Sequence, residues 1–195
     1  MDEHGILSFV KELERLKDIT RTAWTKEGRR ESVAEHSWRL AVFVLALEKD
    51  FPDVDCSKAI RMCLIHDLGE AYEGDVSAKE QVDQKKKLAT EAKALQTLLS
   101  PLSEAVRNEF INLWQEYNQG ETKEAKLVKA VDKMETIIQH NQGRNPSDFD
   151  YVFNLDYGKE YARDNDVLKS MREILDQETK EKINQNTNTS EKKLF

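Results

Sequence analysis

The sequence predicts an all-α protein, and three features carry that expectation. Helix breakers are scarce, with 7 Gly and 3 Pro in 195 residues, while the strong helix formers Glu, Lys, Leu and Ala are abundant. Apolar residues recur at three- and four-residue spacing through several segments. No stretch alternates apolar and polar residues for long enough to read as a strand.

Each element follows from its own signal. A first helix is expected over residues 6–17. Ser32-Val33-Ala34-Glu35 is a capping box: the serine side chain takes an orphan N–H and the glutamate reaches back. A helix should therefore run over about 33–48, ended by Asp50-Phe51-Pro52. Asp55 caps the next helix, where Ala59, Ile60, Met62, Cys63, Leu64 and Ile65 are apolar on several faces and place it in the core. It stops near Gly69 and Glu70, and a short loop with Gly74-Asp75 follows. Ser77-Ala78-Lys79-Glu80, a second capping box, opens a helix on which Lys85-Lys86-Lys87 reads as one solvated side. Ser100-Pro101 reads as another helix start, with proline at the first helical position, running to about residue 117. After the turn Asn118-Gln119-Gly120, Ala125, Val128, Val131, Ile137 and Ile138 mark a helix over about 122–142, which Gly143-Arg144-Asn145-Pro146 breaks. A last long helix is expected over 157–175. Beyond Glu178 the chain is polar and is expected to be frayed. A single domain over 1–177 with a flexible tail over 178–195 follows, without internal repeats or a dividing linker.

The net charge of −7 argues against a binder of duplex nucleic acid, which needs a basic footprint. It allows a small phosphate ligand where a metal or an arginine supplies local positive charge. Cys56 and Cys63 match neither a redox pair nor a zinc ribbon in spacing, and read as buried, reduced structural thiols. The opening MDEHGILSFV lacks the basic-then-apolar order of a signal peptide, and the longest apolar run, LAVFVLAL, is far too short for a bilayer. A soluble cytoplasmic protein with no membrane partner is expected.

Of the four histidines, His4 and His140 read as surface residues, whereas His36 and His66 fall where helices should be quiet or apolar. Asp67 follows His66 at the end of the most hydrophobic helix. A buried carboxylate needs a partner, and a divalent cation would satisfy it while accepting the neutral imidazole of His66. Glu70, four residues after His66 and three after Asp67, can share their side of the helix end. Asp132, beside Val131 and one turn after Val128, is a fourth candidate ligand. Two histidines and two aspartates form a mixed nitrogen–oxygen shell, which suits one ion of Mn, Co, Fe, Ni or Zn better than Mg.

A histidine, then His-Asp, then a distant aspartate on a later helix resembles the pattern of the HD-domain phosphohydrolases. HDLGEAYEGDVS is similar to the HD-x-x-E-x-x-x-x-D segment of their 5′-deoxynucleotidase branch, and RTAWTKEGRRESVAEHS to its entry segment, with Arg21 fifteen residues before His36. The resemblance covers roughly residues 7–134. It implies a compact multi-helix bundle with a metal site in its core, held by His36, His66, Asp67 and Asp132. It also implies a catalytic Glu70, a second acid, Asp75, that acts in catalysis and contacts the sugar, and a phosphate-binding Arg21. The implied activity is divalent-metal-dependent hydrolysis of nucleoside 5′-monophosphates to nucleoside and phosphate, in a homodimer. The chain departs from the pattern at Thr22: some members carry tryptophan there, where it helps to exclude ribonucleotides, and the nearest tryptophan here is Trp24. Other readings are a phosphohydrolase for dNTPs or cyclic nucleotides, a helical metal- or nucleotide-binding module without turnover, and a scaffold bundle without metal. The short chain and the spacing of Glu70 and Asp75 favour the monophosphate reading, and spare acids beside the ligands disfavour a pure binding module.

Overall fold

The structure, a computed structural model, describes residues 2–75 and 83–191. It is built from helices, with one small exception: α1 (Glu3–Glu12), α2 (Arg15–Asp18), strands β1 (Thr20–Trp24) and β2 (Arg30–Ser32), α3 (Val33–Ala46), α4 (Cys56–Ile65), α5 (Gln84–Leu99), α6 (Glu104–Gln119), α7 (Lys123–Gln142), α8 (Lys159–Ala162) and α9 (Asp166–Glu191). No helix among the described residues is long and apolar enough to cross a membrane.

The capping signals act where the chain places them. Ser32 Oγ accepts the Glu35 N–H at 3.2 Å and Glu35 Oε2 accepts the Ser32 N–H at 2.8 Å, so α3 opens on the expected box. Asp55 accepts the Lys58 N–H at 3.0 Å and starts α4. Gly120, at φ +68, ends α6 in the left-handed conformation that a glycine adopts without strain.

Several expectations are corrected. The two strands form a minor hairpin that TRTAW and RES are too short to announce by alternation. The expected first helix is two pieces, α1 and α2. Ser100-Pro101 closes α5 rather than opening a helix, because the Ser100 N–H donates to the Thr97 carbonyl; α6 starts behind Ser103. The box at Ser77 lies outside the described residues, and α5 begins at Gln84 behind Asp83, which accepts the N–H groups of Lys85 and Lys86. The expected last helix is divided into α8 and α9, and α9 runs on to Glu191. The start of its polar stretch is anchored at one residue: Asn141 Nδ2 donates to Thr179 Oγ1 at 3.0 Å, and Thr179 is fully buried. Among the cysteines, Cys63 is buried but Cys56 is only partly so.

The chain forms two compact units, Met1–Thr22 with Arg30–Val128, and Ala23–Arg29 with Lys129–Phe195. The first has a core of Phe9, Leu16, Val33, Ile65, Leu68, Leu95, Leu98, Leu99 and Leu113 with Trp114. It packs α3 on α4, and α5 on the 3-10 turn Leu68–Glu70. The second is organised by polar anchors. Arg172, almost fully buried, donates to the carbonyls of Asn154, Leu155 and Tyr157 at 2.7–3.0 Å, closing the 3-10 turn Val152–Leu155. His140, expected at the surface, is buried there: Nδ1 lies 2.8 Å from Asn154 Oδ1, and Phe149 packs on its ring at 4.9 Å.

Candidate metal centre

The first unit gathers His36, His66 and Asp67 at one point. His36 lies one turn into α3 because the capping box at Ser32 sets the start of that helix, and the ring is wholly buried. His66 is the C-cap residue of α4, and Asp67 leads from it into the 3-10 turn Leu68–Glu70. The two imidazoles are 5.4 Å apart between centroids. Asp67 Oδ2 is 3.1 Å from His66 Nε2 and 3.8 Å from His36 Nε2. The three ligand atoms lie within 4.8 Å of one another.

The hydrogen bonding of His66 determines what this cluster fits. Its Nδ1 is 2.8 Å from the Cys63 carbonyl oxygen, which can only accept, so Nδ1 carries the hydrogen. In the neutral ring Nε2 then presents a lone pair, and it faces a carboxylate oxygen at 3.1 Å. Two acceptors at that separation repel unless a cation lies between them. Nε2 of His66 is buried and makes no hydrogen bond among the described residues. A carbonyl that fixes the tautomer of a histidine is the usual support behind a metal ligand. The donor set of imidazole nitrogen and carboxylate oxygen therefore fits a divalent ion. Tyr117 of α6 flanks His66 edge-on at 4.9 Å.

Glu70 ends the 3-10 turn and is buried; its Oε2 makes no hydrogen bond among the described residues. Burial, then the charges of Asp67 and Asp75, hold its carboxyl well above the ordinary range. Asp75 follows Gly74, whose φ of +86 suits glycine. Burial raises the Asp75 carboxyl too, Arg21 opposes that, and Asp67 adds to it. Arg21 lies on β1, and its Nη1 is 2.8 Å from Oε2 of Glu31 on β2. Glu31 is buried and also has Arg39 Nη2 at 3.7 Å from Oε1.

The remaining candidate, Asp132, belongs to the second unit, where it is buried on α7 with Oδ2 at 2.9 Å from Lys133 Nζ. Sequence reasoning missed Glu31, which sits in a strand too short to detect. It also missed Lys87, read with its neighbours as a solvated side; Lys87 is partly buried while Lys85 and Lys86 are exposed. A Lys-Glu pair at i, i+4, Lys87 and Glu91, was the available signal. Trp114 is core, whereas Trp38 is 64% exposed.

Comparison with known proteins gives the family and the fold. Residues 13–185 match the family model described as HD domain. The 5′-deoxynucleotidase HDDC2 of Dictyostelium discoideum is 38% identical over 141 residues, covering 68% of this chain and 74% of that protein. The human protein of the same name is 32% identical over 144 residues, covering 71% and 70%. Among solved structures, a predicted metal-dependent phosphohydrolase of Magnetospirillum magnetotacticum superposes with a TM-score of 0.76 at 28% identity, covering 91% of this chain and 92% of that one.

Proposed function

The chain belongs to the HD domain family, and from that membership we propose that it is a divalent-metal-dependent 5′-nucleotidase, hydrolysing nucleoside 5′-monophosphates to nucleoside and phosphate. The observation that carries the reading is the convergence of two imidazoles on Asp67 with the buried acid Glu70 in the next turn. The family implies a divalent metal, and His36, His66 and Asp67 would hold it. Asp132 is the proposed fourth ligand. Two nitrogen ligands favour Mn, Co, Fe, Ni or Zn over Mg. A divalent ion bound there supplies positive charge to a phosphoryl oxygen and acidifies water.

The remaining chemistry belongs to side chains. Glu70 has its pKa raised by burial, which suits a group that takes the proton of the attacking water and holds it. Asp75, also raised, would hold a sugar hydroxyl or deliver a proton to the leaving 5′ oxygen. Arg21 acts electrostatically on both acids and is braced by Glu31; its guanidinium would clamp the phosphate, with bidentate geometry the preferred one. Positioning and neutralisation of charge supply most of the catalysis in phosphoryl transfer. A cytoplasmic location and a homodimer complete the proposal, the latter resting on the family resemblance alone.

The test is release of inorganic phosphate from dAMP and dTMP by purified protein with Mn²⁺ or Co²⁺, and not from the triphosphates. Asp67→Ala, which removes a metal-holding carboxylate, and Glu70→Ala should each reduce turnover by about 100-fold or more, the lower end of the range for an acid–base group. Undiminished activity in both variants removes the assignment.

A further inference from the structure

Lys87 takes a position that helix chemistry does not explain. Its Nζ is 3.3 Å from Glu91 Oε1 one turn later on α5, with side-chain exposures of only 27% and 16%. A lysine placed N-terminal to a glutamate at i, i+4 is the weaker order for stabilising a helix. Ordering and partly burying a long lysine side chain also costs conformational entropy. The placement makes sense in relation to the metal centre. Gly69, between Asp67 and Glu70, lets α5 pack directly on the acidic turn: a Cβ there would lie 2.9 Å from both the Cβ and the carbonyl oxygen of Glu91. Glu70 and Asp67 act electrostatically on Lys87, and Lys87 acts in turn on Glu70 and Asp75. Arg21 also acts on both of those acids. Each cation has its own carboxylate brace, Glu31 for Arg21 at 2.8 Å and Glu91 for Lys87 at 3.3 Å.

A phosphate dianion approaching Asp67, Glu70 and Asp75 meets three acids, and beside the divalent ion that His36, His66 and Asp67 would hold, a side-chain cation next to Arg21 adds charge and hydrogen-bond donors for its oxygens. We infer that Lys87 is a second cationic contact for the phosphate of the substrate, alongside Arg21, and that Glu91 is its positioning residue. The identity of the substrate rests on the nucleotidase reading; the phosphate contact is testable without it. The ammonium is a compact charge with three donors, suited to following an oxygen as it turns over.

The experiment uses the full chain loaded with Mn²⁺. Lys87→Met should raise KM for dAMP and the Kd for inorganic phosphate, read by calorimetry, in parallel and by roughly 10-fold or more, the range for a lost charged hydrogen bond. Lys87→Arg should retain most of the affinity, and Glu91→Gln should raise KM by a smaller factor. Lys85→Ala, on the exposed side of the same helix, should change neither. Wild-type protein provides a measurement free of folding effects: saturating phosphate should protect Lys87, but not Lys85, from amine acetylation scored by mass spectrometry. Lys87→Met with the wild-type circular dichroism spectrum and both constants within twofold overturns the proposal, as does equal acetylation of Lys87 with and without phosphate. Phosphate protection of Lys87 in a protein that turns over no nucleotide would leave the contact standing and remove the nucleotidase reading.

Discussion

His66 owes its candidate role to one hydrogen bond. The Cys63 carbonyl holds Nδ1–H, which points the lone pair of Nε2 at Asp67. The expected signature is spectroscopic. In metal-free protein at pH 8, nitrogen–proton correlation spectra should show His66 protonated at Nδ1, and added Zn²⁺ should shift Nε2 alone. A proton on Nε2 in the neutral ring would remove His66 as a ligand through that atom. At this scale the sequence was informative wherever residue type and spacing were unusual together. His66, Asp67 and Glu70 stand out because ionisable groups end an otherwise apolar helix. His140 gave no such signal, because its partner Asn154 is fourteen residues away. Trp38 and Trp114 are chemically alike in sequence, and only packing made one exposed and the other core.

Helix starts were legible where a side chain caps its own turn, as at Ser32 and Asp55, because the interaction is local and sequence contains both partners. Helix ends and breaks were less so. Ser100-Pro101 carries the chemistry of a start, yet it closes α5, and α9 continues into a polar stretch where Thr179 meets Asn141, 38 residues earlier. Gly69 is the element-scale residue with the largest consequence for the site. Adding one methyl there meets the backbone of α5 rather than a yielding side chain. Gly69→Ala should destabilise the protein by about 1–3 kcal/mol, the usual cost of overpacking. It should also raise the Kd for phosphate by moving Glu91 and Lys87. Thermal unfolding and calorimetry on the same sample check both; unchanged values in each would mean that α5 yields without cost.

For the whole molecule, the unfavourable charge of the acidic turn links metal, pH and stability. Glu70 and Asp75 have raised pKa values in the fold, so the folded state keeps protons that the unfolded chain has lost. The unfolded chain therefore binds fewer protons, and stability of the metal-free protein should fall as pH rises from the ordinary carboxylate pKa of about 4 through the raised values. A bound divalent ion should offset that loss: at a hundredfold excess over Kd it contributes about 2.7 kcal/mol, roughly a 5–10 °C rise in Tm for a chain of this size. Scanning calorimetry at pH 5 and pH 8, with chelator and with Mn²⁺, checks both signs, and a chelator without effect on Tm at pH 8 would argue against a bound ion. The sequence by itself determined the helical class and the capped starts of α3 and α4, and it marked His36, His66, Asp67 and Glu70 as candidates, because helix propensity, capping and residue type act over one or two turns. Only the tertiary structure decided that Asp67 faces both histidines, that Glu31 braces Arg21, and that Lys87 is partly buried against Glu91 while Lys85 and Lys86 stay in solvent. These depend on which helices pack together, and on a glycine that lets one of them come close.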